Sequence, residues 1–289
     1  MNFSIHPHYL TPAAIQRFIQ SALAEDIGDG DHSSLASVPA SASRQARLLI
    51  KDTGVLAGIE LAPLIFHTVD PGLVITPMLV DGTTVKHGDI GLTVSGKAQS
   101  ILQAERLVLN CMQRMSGIAT YTRQMVNLIA HTHARLLDTR KTTPNFRLME
   151  KWAVAIGGGQ NHRFGLFDMV MLKDNHLDYA GGVTQAITAT HRYLKETGKN
   201  LQIVVETRNL KEVEEVLRIG GVTRIMLDNM PPEKMREAIA LIDGRFPTEA
   251  SGGITEHTIV AVAESGVDYI SVGALTHSVK SLDISLKAM

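Results

Sequence analysis

LLDTRKTTPNFRLMEKWAVAIGGGQNHRFGLFDMVMLKDNH, Leu136 to His176, is the stretch whose reading decides the fold. Twice in it a short apolar run breaks directly into charge: LLDTRK at Leu136–Lys141, then MVMLKDNH at Met169–His176. Apolar runs of about four residues bounded by polar or turn residues read as buried strands. Between them lies GGGQNHR, three glycines followed by Gln160, Asn161, His162 and Arg163. In parallel α/β folds the carboxyl rim of the sheet is where ligands bind. On that reading Arg140, Lys141, His162, Arg163 and Lys173 converge on one cavity. Cations packed so closely repel one another, so the cavity suits an anion with several negative charges. The competing reading is that each basic group caps a helix or pairs with Asp138, Asp168 or Asp174.

Outward from this stretch, the chain after Leu136 alternates strand and helix. LLDT, DMVMLK, QIVVET, RIMLD, TEAS and YISVG read as strands. Phe146 to Ala155, Val183 to Thr197, Leu210 to Arg218, Pro232 to Asp243 and Thr255 to Glu264 read as helices. Repeated βα units argue a parallel sheet, and six or seven of them argue closure into a barrel. No GxGxxG follows a strand and no Walker lysine motif exists, which excludes the Rossmann and P-loop readings.

Three further strand ends add chemistry. IVVET places Glu206 at a rim and IMLDN places Asp228 at the next. Paired carboxylates on adjacent strands suit a hard cation such as Mg²⁺, held directly or through its waters. EASGGI and SVGALTHS bring Ser251, Gly252, Gly253, Gly273 and Ala274 to two successive strand ends. Glycines there let backbone N–H groups approach a phosphate, although ordinary turn chemistry uses the same residues.

The region before it is built differently. Thr11-Pro12 opens a helix, with Thr as N-cap and Pro at the first helical position. Ile15, Phe18, Ile19 and Leu23 form its stripe, and Gly28 closes it. EDIGDGDHSS, Glu25 to Ser34, reads as a solvated loop, since the spacing of a calcium loop is missing. Ala46 to Gly96 reads as short strands around one helix, Ile59 to Val69. DGTTVKHGDIGLTVSG has the look of a carrier-domain half-repeat, but Lys86 stands in VKHG rather than at a hairpin tip, so a scaffold domain is expected. A long helix follows from Ser100 to about His131, carrying Arg106 beside its apolar face.

Composition narrows the function classes. Hydrophobic content of 44% and charged content of 20% over 289 residues describe an ordinary globular protein. A net charge of -1 supplies no global field to hold nucleic acid. Cys111 is the single cysteine, so neither an internal disulfide nor a Cys-based zinc site is expected. No run approaches the roughly 18 apolar residues of a membrane span, and the first residues lack a signal-peptide pattern, so the expected compartment is the cytoplasm. The residues alone thus point to an enzyme handling a phosphorylated sugar and a small carboxylated partner.

DTRKTTP, GGGQNHRFGL, LKDNH, IMLDN, SGGI and SVGALTHS, in this order, resemble the quinolinate phosphoribosyltransferase family. The resemblance runs from ERLVLNCMQRMSGIAT to the C-terminus, and the earlier residues fit the family's first domain. It implies an α/β fold of type II phosphoribosyltransferases: an N-terminal α/β sandwich at 1–110, joined by 279–289 returning as a strand, and an irregular α/β barrel at 111–278. It implies transfer of phosphoribosyl from phosphoribosyl pyrophosphate to quinolinate with decarboxylation, giving nicotinate mononucleotide, pyrophosphate and CO₂ for NAD biosynthesis. It also implies a homodimer with a shared active site, with association beyond the dimer left open. In that frame Arg140, His162, Arg163 and Lys173 hold the quinolinate carboxylates, and Arg106 reaches the other subunit's substrate. Lys141 lies between the substrates. Glu206 and Asp228 serve the ribose hydroxyls and Mg²⁺, while Ser251, Gly252, Gly253, Gly273 and Ala274 take the 5′-phosphate. Lys141, Lys173, Glu206 and Asp228 are the expected catalytic residues. One departure is visible: where many relatives alternate VEVE, this chain has VVET, so Val204 and Arg208 stand in place of flanking acids. The rivals are a sister transferase acting on nicotinate or another acidic base, and a non-catalytic anion-binding protein.

Overall fold

The computed structural model describes residues 7–289. In chain order its strands are β1 (Ser43–Ile50), β2 (Gly54–Val55), β3 (Val74–Pro77), β4 (Thr84–Val85), β5 (Ile90–Lys97) and β6 (Arg135–Leu137). They continue with β7 (Val170–Leu172), β8 (Ile203–Thr207), β9 (Arg224–Asp228), β10 (Thr248–Ser251), β11 (Tyr269–Ser271) and β12 (Ile284–Ala288).

The chain divides into two compact units. The first holds residues up to Arg123 together with Lys141–Gly158 and Leu275–Met289. Its sheet has the order β12-β1-β5-β3, antiparallel throughout, with β12 paired along β1 from Ala46↔Ala288 to Ile50↔Ile284. Helix Pro12–Ile27 starts where Thr11 accepts from the Ala14 N–H and ends at Gly28. The segment read as a solvated loop folds further than expected. Asp31 accepts from both the backbone and the hydroxyl of Ser34, and so caps a helix at His32–Ser37.

The long helix, Ala98–Leu128, runs without a break through the boundary expected at residue 110. Its Ser116-Gly117 pair explains how the C-terminal strand returns. Ser116 Oγ accepts from Ala57 N, and a Cβ on Gly117 would fall 2.2 Å from the Lys280 carbonyl oxygen. Only glycine admits that backbone. Across the same helix, Leu282 N donates to Gln113 O and Gln113 Nε2 to Ile284 O. Segment 141–158 packs here too: Arg123 Nε donates to Gly157 O.

The second unit, Gln124–Arg140 and Gly159–Ala274, is a parallel sheet of order β6-β11-β10-β9-β8-β7. All six expected strands are present, and the last in sequence pairs with the first, the arrangement that closes a barrel. The ring stays open at one seam, because β6 and β7 share no ladder. Gln160 partly fills it: Gln160 N donates to Leu136 O, and Asp138 N donates to Gln160 O. The physical cause is the polar loop itself, which occupies the edge of β6 that a neighbouring strand would need. Among the described residues, no helix is long and apolar enough to cross a membrane.

Candidate active site

Strand register decides which side chains share a face. Glu206 on β8 and Glu249 on β10 both lie opposite Met226 of β9. Directly paired residues point the same way, and so do residues two apart. Glu206, Asp228, Glu249 and Ser251 therefore occupy one face, with Arg224 behind them. Leu172 pairs with Val205, which sets Lys173 beside Glu206 at the carboxyl end of β7. Lys173 Nζ lies 3.4 Å from Glu206 Oε2.

Glu206 is 5% exposed. Burial raises its pKa above the ordinary carboxylate value, Lys173 opposes the rise, and the Asp228 charge adds to it. Glu206 and Asp228 thus feel each other's charge. Asp228 also accepts from Asn229 Nδ2. Among the described residues no group of three or more His, Cys, Asp or Glu is placed to hold a metal ion. Two neighbouring carboxylates, close enough for the charge of one to act on the other, have the donor chemistry that would suit Mg²⁺ keeping much of its water shell.

The basic side has its own frame. Asp138, fully buried at the end of β6, accepts from His162 N at 2.8 Å and from Asn161 Nδ2 at 2.7 Å. These bonds hold the Gly-rich loop on the open seam. Asp168 closes the next turn by accepting from Phe164 N and Gly165 N. Arg163 is 9% exposed and donates from Nη1 to Met169 O. Its pKa is lowered by burial and by the neighbouring charge of Arg140, with Asp168 acting the other way. Arg140 and Arg163 are therefore close enough to repel.

His162 departs from the part expected of it. The ring is 8% exposed, its Nδ1 accepts from Arg163 N at 2.7 Å, and its Nε2 lies 3.4 Å from Glu249 Oε2. Nδ1 is taken by the Arg163 amide, and Nε2 has only a charge contact, longer than an ordinary hydrogen bond, with Glu249. Glu249, unmarked in the sequence reading, is 0% exposed and 2.7 Å from Arg224 Nη1. Burial alone would raise its pKa, but the His162 and Arg224 contacts outweigh that and hold it low. An isolated acid within a four-residue buried strand was the available signal, since such a charge needs partners.

The glycine loops interlock. Asn229 N donates to Ser251 O, and Gly252 sits at φ 97° where a Cβ would be 2.2 Å from Asn229 Oδ1. Gly253, at φ 60°, has open space around its Cα. The helix after this loop is shorter than expected, Ile259–Ala263, because Thr255–Thr258 form a separate turn. Gly273 and Ala274 follow β11 and open a single turn of helix, Ala274–His277.

Arg106 and Lys141 belong to the first unit. Arg106 is exposed on helix Ala98–Leu128, and Lys141 is exposed with its carbonyl accepting from Thr276 Oγ1. Glu150, fully buried, accepts from Thr143 N, Thr143 Oγ1 and Arg114, fixing the residues that follow Lys141. Arg208, the departure beside β8, binds Asp178 at 2.9 Å and Glu212 at 2.7 Å. It has acids of its own, and the cation beside Glu206 is Lys173. Cys111 is buried, which pushes its thiol up to about 12.

Two family models match the chain: the N-terminal domain of quinolinate phosphoribosyl transferase over residues 31–116 and its C-terminal domain over 118–287. A relative from Nicotiana tabacum, quinolinate phosphoribosyltransferase [decarboxylating] 1b, is 50% identical over 98% of this chain and 83% of its own length. The chloroplastic nicotinate-nucleotide pyrophosphorylase [carboxylating] of Arabidopsis thaliana is 49% identical over 98% of this chain and 84% of its own. Among solved structures, NadC from Streptococcus pyogenes matches with a TM-score of 0.90 at 39% identity, covering 98% of this chain and 100% of that one.

Proposed function

The chain belongs to the quinolinate phosphoribosyltransferase family, and from that membership we propose how its residues divide the reaction. The enzyme transfers phosphoribosyl from phosphoribosyl pyrophosphate to quinolinate, releasing pyrophosphate and CO₂ and giving nicotinate mononucleotide. The observation that carries the residue assignment is the half-hidden pair Arg140 and Arg163, whose charges oppose each other beside the open seam.

Arg140 and Arg163 grip the two ring carboxylates, where a guanidinium can bind bidentately. Lys173 adds a point charge and, through Glu206, ties the acid-binding side to the ribose side. Each charge-assisted hydrogen bond contributes roughly 1.5–3 kcal/mol net. Together they aim the pyridine nitrogen at the anomeric carbon, which is the orientation effect a two-substrate reaction most needs. The new N–C bond forms as the C–O bond to pyrophosphate breaks. Lys141 stands between the substrates, Glu206 and Asp228 hold ribose hydroxyls, and Ser251, Gly252, Gly253, Gly273 and Ala274 take the 5′-phosphate. When bound, Mg²⁺ held by Glu206 and Asp228 through its waters would offset the charge of the leaving pyrophosphate. Loss of CO₂ then leaves the C–C electron pair on the ring carbon beside the positive nitrogen, which stabilises it until that carbon takes up a proton from water to give nicotinate mononucleotide.

We also assign the working form as a homodimer in which Arg106 acts on the partner's substrate. Support comes from its exposure and from an apolar cavity of about 370 Å³ in the same unit, lined in part by Val38, Ala98, Ile101, Leu102 and Glu105. The cytoplasm is the proposed compartment; the Arabidopsis relative is named chloroplastic.

The test is an assay with Mg²⁺, phosphoribosyl pyrophosphate and either quinolinate or nicotinate. Pyrophosphate and CO₂ from quinolinate, with nicotinate inert, is the expected result. Turnover of nicotinate alone would overturn the dicarboxylate assignment of Arg140 and Arg163.

A further inference from the structure

We propose that Glu249 is a positioning residue for the acid-binding loop, acting through the tautomer of His162 to set the direction of Arg163. The inference rests on the reading of Arg163 as a quinolinate ligand and names what holds it in place.

Glu249 lies within β10 with no exposed surface, on the face it shares with Glu206 and Asp228. Arg224 fixes one side of its carboxylate: Nη1 is 2.7 Å from Oε2, and the guanidinium carbon lies 3.9 Å over the Tyr269 ring centroid. That carboxylate is thus paired with a guanidinium that is itself held in place. Its Oε1 makes no hydrogen bond, so Arg224 does not exhaust its capacity to accept. The same Oε2 faces His162 Nε2 at 3.4 Å.

The backbone supplies the second constraint. Arg163 N–H can only donate, and it donates to His162 Nδ1 at 2.7 Å. Nδ1 therefore carries no proton, and the neutral ring holds its proton on Nε2, towards Glu249. The other tautomer would set two N–H groups against each other at Nδ1 and a bare lone pair against a carboxylate at Nε2. Both contacts are repulsive, so Glu249 selects the tautomer that the Arg163 amide requires. Asp138 fixes the loop one step earlier, at Asn161 and His162 N. One residue on, the bond from the Arg163 amide to the His162 ring orients the backbone from which the guanidinium extends. An outer partner of this kind orients a ligating side chain without touching the ligand itself.

Two measurements test this. The first is a tautomer determination by long-range ¹H–¹⁵N correlation on histidine-labelled protein, with the signal assigned by a His162→Asn variant. The neutral Nε2–H form is expected, and a predominant Nδ1–H form would overturn the proposal. The second is the kinetics of Glu249→Gln, whose amide presents no fixed negative charge to Nε2. The KM for quinolinate should rise about tenfold or more while that for phosphoribosyl pyrophosphate stays within about twofold. Glu249→Asp, which keeps the charge at a longer distance, should fall between Glu249→Gln and the parent. An unchanged quinolinate KM in folded Glu249→Gln, or equal losses for both substrates, would reduce Glu249 to a structural anchor. The underlying site reading fails separately, through an Arg163→Ala enzyme that turns over quinolinate like the parent.

Discussion

Lys173 Nζ stands 3.4 Å from Glu206 Oε2, across the ladder that joins β7 to β8. A cation assigned to one substrate thereby touches a carboxylate assigned to the other. Burial works against ionisation of Glu206, the lysine works for it, and the neighbouring acid Asp228 adds to the effect of burial.

Glu206→Gln should lose most activity yet leave the protein as stable as the parent, or more so, at neutral pH. The ordinary carboxylate value is 4.5, and the folded value is higher, with burial the main cause. Between the two, the folded state holds a proton that the unfolded state has released. The favourable contribution is therefore complete below the ordinary value and lost as pH rises through the folded one. A plot of Tm against pH should be flatter for the variant over that window. A variant less stable than the parent at pH 7 would show that Lys173 dominates instead.

Arg140→Ala and Arg163→Ala should each lower kcat/KM for quinolinate by about 100-fold or more, with far-UV circular dichroism unchanged. The magnitude follows from removing one or two charge-assisted hydrogen bonds of roughly 1.5–3 kcal/mol each. Calorimetric titration should still detect phosphoribosyl pyrophosphate on the Arg163→Ala protein.

Arg106→Ala should be inactive as well, for a reason of assembly. Mixing it with inactive Arg140→Ala under conditions of subunit exchange should restore activity, because a hybrid dimer carries one intact site. Exchange demonstrated by mass spectrometry with no recovery would remove the shared-site proposal.

Gly252→Ala and Gly253→Ala separate two reasons for glycine. At 253 only the positive φ opposes a side chain, a cost of about 1–2 kcal/mol. At 252 the added Cβ would also meet Asn229 Oδ1 at 2.2 Å. Urea denaturation should therefore rank Gly252→Ala as the less stable of the two.

Glu150→Ala should be the most destabilising of these substitutions, by about 3–5 kcal/mol. It leaves the Arg114 guanidinium without its carboxylate partner and releases Thr143, which accounts for two of the bonds to that carboxylate. Chemical denaturation measures the loss, and Glu150→Gln should recover part of it.

The sequence by itself determined the alternation of strand and helix after Leu136, the six parallel strands, and which ionisable and glycine residues follow them. Those signals are local: apolar runs of strand length, glycines after them, and ionisable residues at the break between the two. Tertiary structure alone decided where the ring stays open, because that depends on the Gln160 loop taking the edge of β6. It decided that His162 turns inward to Glu249, and that Arg208 goes to Asp178 and Glu212 rather than to the acid beside it. It also decided that Asp31 starts a helix where composition suggested a loop. Each outcome turns on which partner reaches a charged or polar group first in three dimensions. At the His162–Glu249 pair burial then makes that choice binding, since a charge removed from water is stable only where a partner is already in place.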